Sequence, residues 1–299
     1  MGYAEHLDVP YAGAASTRRA LDLFLPDTAS SSSPLLVFIH GGAWRSEAKS
    51  DFTHTLMPSL MRTTGLPCAC LEYRLAPADP HPAQILDVVS GLELLTGPLL
   101  PLEAGDAKWD RTHLIVAGHS AGAFMAATLV LRPPPTHPAS SARSSPFSVP
   151  DSVRQAVRGI ICIDGIYDLP ALLDEYPSYA SFVSEAFGTN PRVLAAESPA
   201  RWDRYNDDAG RNVRILVLHS KGDELLSLRQ PRVFLRRAKQ LFYAGGEAGV
   251  KDKADEATSE ADERDLPANV EVDFESLRGG HYEVVKGDEL AQLIALRLR

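Results

Sequence analysis

Cysteine is scarce: Cys68, Cys70 and Cys162 are the only three in 299 residues. Three thiols cannot form a disulfide framework, and none sits at metal-ligand spacing. Cys68 and Cys70 alternate on an expected strand, where each reads as a small hydrophobe. No Asn-x-Ser/Thr sequon occurs, and no apolar run reaches the length of a membrane span. The opening MGYAEHLDVP has no basic region followed by an apolar stretch, and His6 stands where a myristoylation signal needs Ser or Thr. Neither export nor acylation is expected. Basic charge is also in deficit, with 30 Lys and Arg against 39 Asp and Glu and a formal net charge of −9. Such a chain presents no basic footprint to nucleic acid or anionic lipid. The expected setting is cytoplasmic and the expected partner a small molecule, with homodimerisation left open.

What is present is ordinary globular composition, 44% hydrophobic and 23% charged. A chain of this length can bury a sizeable core without staples, here as one domain over 1–299. Short β-like runs alternate with helix-like runs. Strands are expected at Ala20–Leu25, Leu35–His40, Cys68–Tyr73, His113–Ala117, Gly159–Asp164, Arg214–His219 and Val270–Glu275. Helices are expected at Ala83–Leu95, Ala121–Leu131, Pro231–Tyr243 and Asp288–Leu298. This alternation predicts an α/β fold, a mostly parallel sheet covered by helices on both faces.

Three segments break the rhythm. Pro133 to Pro150 holds six prolines and five serines in eighteen positions. Gly245 to Pro267 is built from Ala, Asp, Glu and Lys, with eight acids against three bases by Asp265. Both are expected to be solvated surface insertions. The third, Leu169–Tyr205, is longer than one crossover needs, and its aromatics Tyr176, Tyr179, Phe182, Phe187 and Trp202 suggest a small cap over one end of the sheet.

The chemistry centres on Gly118-His119-Ser120-Ala121-Gly122, a G-x-S-x-G between an expected strand and an apolar helix. That context is what gives a common pentapeptide its meaning. A sharp strand-to-helix turn lifts the serine hydroxyl clear of the sheet, and the two glycines remove side chains that would collide with neighbouring backbone. Upstream, His40-Gly41-Gly42-Ala43-Trp44 follows a strand, and its backbone N–H groups, with that of Ala121, would form an oxyanion hole from Gly41, Gly42 and Ala121. His40 reads as an anchor of this loop.

The chain order Ser, acid, His of a nucleophile-elbow hydrolase selects the partners. His137 lies in the Pro/Ser stretch and His219 closes a strand, so His281, in Arg278-Gly279-Gly280-His281, is the expected base. Asp223 after the preceding strand is the expected acid, with Glu224 a solvated neighbour and Asp164 and Asp168 open as competitors. Ser120 would attack, His281 carry the proton and Asp223 fix its tautomer.

Tyr73-Arg-Leu-Ala-Pro77, His81-Pro-Ala and Asp87-Val resemble the hormone-sensitive-lipase-like carboxylesterases, which usually carry a third glycine where this chain has Ala43-Trp44. The H-G-G-x-W form, with Ile163-Asp-Gly-Ile-Tyr-Asp-Leu169, is similar instead to kynurenine formamidase (arylformamidase) of the fungal type. The resemblance covers nearly the whole domain outside the two insertions. It implies an α/β-hydrolase that cleaves N-formyl-L-kynurenine to L-kynurenine and formate, in tryptophan catabolism, without metal or cofactor. It implies Ser120, Asp223 and His281 as the triad. Trp44, Ile166 and Tyr167 are expected to line the arylamine pocket, with core packing an even alternative for each. Arg45 or Arg74 is a candidate for the substrate carboxylate, Arg74 having Asp87 as a nearby structural partner. A short-chain carboxylesterase would use the same triad. A non-catalytic binding scaffold usually loses a triad member, and none is missing here.

Overall fold

The computed structural model describes residues 2–12, 18–98, 108–134, 148–243 and 257–298. Its centre is an eight-stranded sheet whose strands are β1 (Tyr3–Pro10), β2 (Ala20–Pro26), β3 (Leu35–Ile39), β4 (Cys68–Leu71), β5 (Leu114–His119), β6 (Val157–Ile163), β7 (Arg214–Leu218) and β8 (Val270–Asp273). They lie in the order β1-β2-β4-β3-β5-β6-β7-β8. β2 runs antiparallel to β1 and β4, and β4 through β8 pair in parallel. The expected α/β architecture is therefore present.

The inner strands are apolar on both sides because both sides are covered. Side chains alternate by two: Leu35, Val37, Leu114, Val116, Ile215 and Val217 enter one core layer. That layer is closed by α2 (Ala83–Thr96), α3 (Ala121–Val130) and α7 (Arg229–Tyr243). Leu36, Phe38, Cys68, Cys70, Ile161 and Leu218 face the other way, against α1 (Leu56–Thr64) and α8 (Asp288–Arg297). The cysteines are free and buried as small apolar groups, and burial pushes their thiols up.

Two of the elements named above were not expected from the sequence. β1 is an edge strand, largely exposed, with a register break between His6 and Val9, so it carries little hydrophobic alternation. α1 contains Pro58, but in its first turn, where the missing N–H costs nothing. β5 runs on to His119, two residues past its expected end, and so delivers Ser120 directly at the sheet's carboxyl edge.

Leu169–Tyr205 holds α4 (Leu169–Glu175), α5 (Ala180–Phe187) and α6 (Pro191–Glu197), packed around a satellite cluster with Trp44, Phe124 and Leu226. Residues 135–147 and 244–256, the greater part of the two expected insertions, lie outside the described residues. The end of the acidic stretch differs from expectation: Ser259 caps a short 3-10 turn, and Asp262 and Glu263 pair with Arg236 and Arg232 of α7 at 2.8 and 2.7 Å. Arginines on the outer face of α7 give those carboxylates a docking surface, so this end is not wholly solvated.

Candidate active site

Ser120 sits between β5 and α3 with φ 53° and ψ −114°, a left-handed conformation that costs a non-glycine residue about 1–3 kcal/mol. The surrounding contacts hold it there. Its N–H donates to Ile163 O on the neighbouring strand at 2.9 Å. A Cβ at Gly118 would lie 2.2 Å from Gly122 O, and one at Gly122 would lie 2.1 Å from Ile39 O. Both glycines are required by close backbone approach.

The loop after β3 reaches the same point. A Cβ on Gly41 would meet the Ser120 Cβ at 3.0 Å and His119 Nδ1 at 2.9 Å. Tyr73 Oη donates to Gly41 O and His40 O at 2.5 and 3.1 Å, and the amides of Arg45 and Ser46 donate to Gly42 O at 3.0 and 2.9 Å. The loop's carbonyls are thus turned away and tied down. Among the described residues no backbone carbonyl accepts from the N–H groups of Gly41, Gly42 or Ala121. His40 is buried and stacks on Tyr73 with ring centres 4.1 Å apart, in keeping with an anchor.

His281 follows β8 and is 2% exposed. Its Nδ1 donates to Asp223 Oδ2 at 2.8 Å, which leaves Nε2 with a free lone pair. Its own N–H donates to Glu224 Oε2 at 3.0 Å, and its carbonyl accepts from His119 Nε2 at 2.9 Å. Glu224 is exposed but employed, a correction to its reading as a merely solvated neighbour. Asp223 Oδ1 accepts from the amides of Leu225 and Leu226 at 2.8 and 2.9 Å. Burial alone would raise the Asp223 carboxyl, but the His281 bond and those two amides outweigh it and hold it below its ordinary value.

The two competing acids have other places. Asp168 caps α4 through Ala171 N and pairs with Arg201 at 2.6 Å. Asp164 is fully buried behind the His281–Asp223 pair and accepts from Ser220 N at 2.7 Å. Burial first, then the Asp223 charge, pushes its carboxyl up to about 8. His119, His219, Asp164, Asp223 and His281 bring nitrogen and oxygen donors within 4.8 Å in two overlapping groups of three. Hydrogen bonds already occupy His119 Nε2, His219 Nε2 and His281 Nδ1.

Trp44 and Ile166 are buried in the satellite cluster that also contains Ala121, and Phe124 and Phe187 meet the Trp44 ring edge-on at 5.3 and 4.9 Å. Tyr167 is placed differently from its expected pocket role. It is wholly buried in the main core and stacked on Phe234 at 4.5 Å. Arg74 is committed to Asp87 at 2.7 Å and Asp79 at 3.1 Å, whereas Arg45 is 40% exposed beside Glu185 and Phe182. Tyr179 Oη donates to Leu225 O and Tyr176 Oη accepts from Ser227 N, tying the α4–α6 segment to the Asp223 loop. Glu47 escaped the sequence reading. Its carboxyl neighbours His40, His281 and the Gly41 amide, has one buried unpartnered oxygen, and is pushed up chiefly by burial. Its left-handed φ of 64° is not visible in a motif.

Comparison with known proteins gives the family. The BD-FAE family matches residues 21–237. Kynurenine formamidase of Meyerozyma guilliermondii is 35% identical over 199 residues, covering 65% of this chain and 67% of that protein. Kynurenine formamidase of Saccharomyces cerevisiae is 32% identical over 202 residues, covering 65% and 72%. A solved truncated carbohydrate esterase from gut microbiota superposes with a TM-score of 0.67 over 98% of this chain and 94% of that one, at 16% identity, a likeness that bears on the fold alone.

Proposed function

Because this chain belongs to the BD-FAE family of α/β-hydrolases, alongside the fungal kynurenine formamidases, we propose that it hydrolyses N-formyl-L-kynurenine to L-kynurenine and formate with Ser120, His281 and Asp223 as its triad. The observation that carries the mechanism is the His281 ring, fixed by Asp223 with Nε2 free and centred 4.7 Å from the ring of His119, the residue before a strained serine flanked by the Gly42 and Ala121 amides, from which no backbone carbonyl accepts among the described residues.

Ser120 Oγ adds to the formyl carbon while its proton passes to His281 Nε2. The resulting oxyanion is met by the amides of Gly41, Gly42 and Ala121, and one such donor contributes about 3 kcal/mol. The C–N bond breaks as His281 returns the proton to the aniline nitrogen, releasing kynurenine and leaving a formyl ester on Ser120. Water, deprotonated by His281, cleaves that ester to formate. Asp223 carries the opposite charge each time the imidazole becomes an imidazolium.

Formyl is the smallest acyl group, and Trp44 closes the acyl side, while Ile166, buried in the same cluster, lines the arylamine pocket. The α4–α6 segment forms a cap over the leaving group within a single domain. Arg74 is committed to Asp87 and Asp79, whereas Arg45, 40% exposed, would exchange its single carboxylate partner Glu185 for the substrate carboxylate. Buried unpaired thiols fit a reducing, cytoplasmic setting. Among the described residues no helix is long and apolar enough to cross a membrane. The test is incubation with formylkynurenine: formate and kynurenine appear in equal amounts with wild type and neither appears with Ser120→Ala. Absence of both products with wild type contradicts the reading.

A further inference from the structure

Behind the His281–Asp223 pair lies a carboxyl that the mechanism above does not use. Asp164 follows β6 directly at a left-handed φ of 43° and is 0% exposed. Its Oδ1 is held by Ser220 N–H, while Oδ2 is buried with no hydrogen-bond partner. Its surroundings come from three elements. From the end of β5, His119 brings a ring nitrogen within 4.8 Å, and from the loop after β8, His281 does the same. From the loop after β7 come His219, whose Nδ1 is 3.6 Å from Oδ1, together with Asp223 and Glu224.

The tautomers around it are fixed by their bonds. His119 Nε2 and His219 Nε2 each face a carbonyl and must carry the proton, so both Nδ1 atoms are bare lone pairs, buried and unpartnered. A carboxylate at Asp164 would face two lone pairs and the Asp223 charge. A protonated Asp164 relieves all three repulsions. This cage raises the pH at which the carboxyl ionises, and once ionised it lies within reach of the His281 imidazolium.

We propose that Asp164 is a positioning residue for the triad, a second buried carboxyl that supports the His281 imidazolium once it has ionised. Its proton is lost to bulk solvent in a pre-equilibrium, not during turnover, so the chemical steps keep their balance. Where Asp223 is absent, the charge that opposes Asp164 ionisation is gone and Asp164 takes over as the partner of His281. This inference rests on the triad reading.

The experiment follows kcat/KM for p-nitrophenyl acetate against pH in wild type, Asp164→Asn, Asp223→Asn and the double variant. Asn keeps the acceptor for Ser220 N–H, and an inflexion is internal to each protein, so partial loss of folded material does not imitate it. Wild type should rise through a second inflexion near pH 8. That inflexion should be missing in Asp164→Asn and shifted to lower pH in Asp223→Asn. The double variant should lose at least about tenfold more than Asp223→Asn alone, as expected for groups sharing one task. An Asp164→Asn profile that keeps the rise, or a double variant equal to Asp223→Asn, overturns the proposal. Full activity in the double variant, which has neither carboxylate, would instead overturn the triad reading. Should Asp164→Asn not fold, the His281 ring protons of wild type give the answer by NMR: a second titration step near pH 8 supports the proposal, and its absence refutes it.

Discussion

His119 Nε2 donates to the carbonyl oxygen of His281 across 2.9 Å, fastening the residue before Ser120, the proposed nucleophile, to the proposed base. Burial, followed by the proximity of His281, lowers the His119 imidazole to about 3, so it stays neutral and keeps the tautomer this bond needs. The bond ties the end of β5 to the loop after β8, elements 162 positions apart in the chain.

Removing that tie should loosen the base. His119→Leu is expected to lower kcat by about 10–100-fold, since a misplacement near 1 Å can cost that much, with a smaller change in KM. His119→Gln, which restores an N–H donor, should recover part of the loss. Steady-state kinetics on the two variants decide it; equal losses in both would refute the positioning role.

Asp164 should make the fold less stable toward neutral pH. Its carboxyl is raised to about 8 in the folded chain, against about 4 for an ordinary Asp in the unfolded chain. Between those values the folded state holds a proton that the unfolded state has lost, so stability contributed at low pH declines as pH rises. Asp164→Asn removes this dependence. Its Tm should gain on wild type steadily across the window, by about 2–4 °C for each kcal/mol. Parallel Tm curves for the two proteins would show that Asp164 ionises normally.

Gly122 should tolerate no side chain. A Cβ there meets Ile39 O at 2.1 Å, and both atoms belong to rigid backbone, so Gly122→Ala is expected to cost about 3 kcal/mol or more. Urea denaturation measures it, and an unchanged midpoint would contradict the close packing of β3 against α3.

Trp44 should limit the acyl group. Trp44→Ala opens the satellite cluster around Phe124 and Phe187, with a stability loss of about 3–5 kcal/mol. Its kcat/KM ratio of butyrate to acetate p-nitrophenyl esters should rise about tenfold, the usual worth of a methylene or two in an apolar pocket. An unchanged ratio would assign Trp44 to packing alone.

The sheet was legible because its inner strands are buried on both faces and read as short apolar runs such as Leu35–Ile39 and Arg214–Leu218. β1 was not, because an edge strand has one weakly covered face. Ser120 stood out through its flanking glycines, whose absence of side chains is a steric necessity. The residues the sequence concealed act through contacts between distant segments: Glu224 on the His281 amide, His119 on its carbonyl, Glu47 beside Gly41. Tyr167 shares a motif with Ile166 yet turns into the main core while Ile166 enters the satellite cluster, since neighbouring residues leaving a strand end face different ways. No spacing rule distinguishes those two directions.

A site with the proposed triad, built for a formyl amide, should prefer N-formyl-L-kynurenine to simple esters. That preference is tested most directly by kcat/KM for N-formyl-L-kynurenine beside p-nitrophenyl acetate and butyrate, with Ser120→Ala as control. The expected value for formylkynurenine lies far above both esters and is abolished in the variant. Ester turnover with little formylkynurenine hydrolysis would contradict it and leave a general esterase.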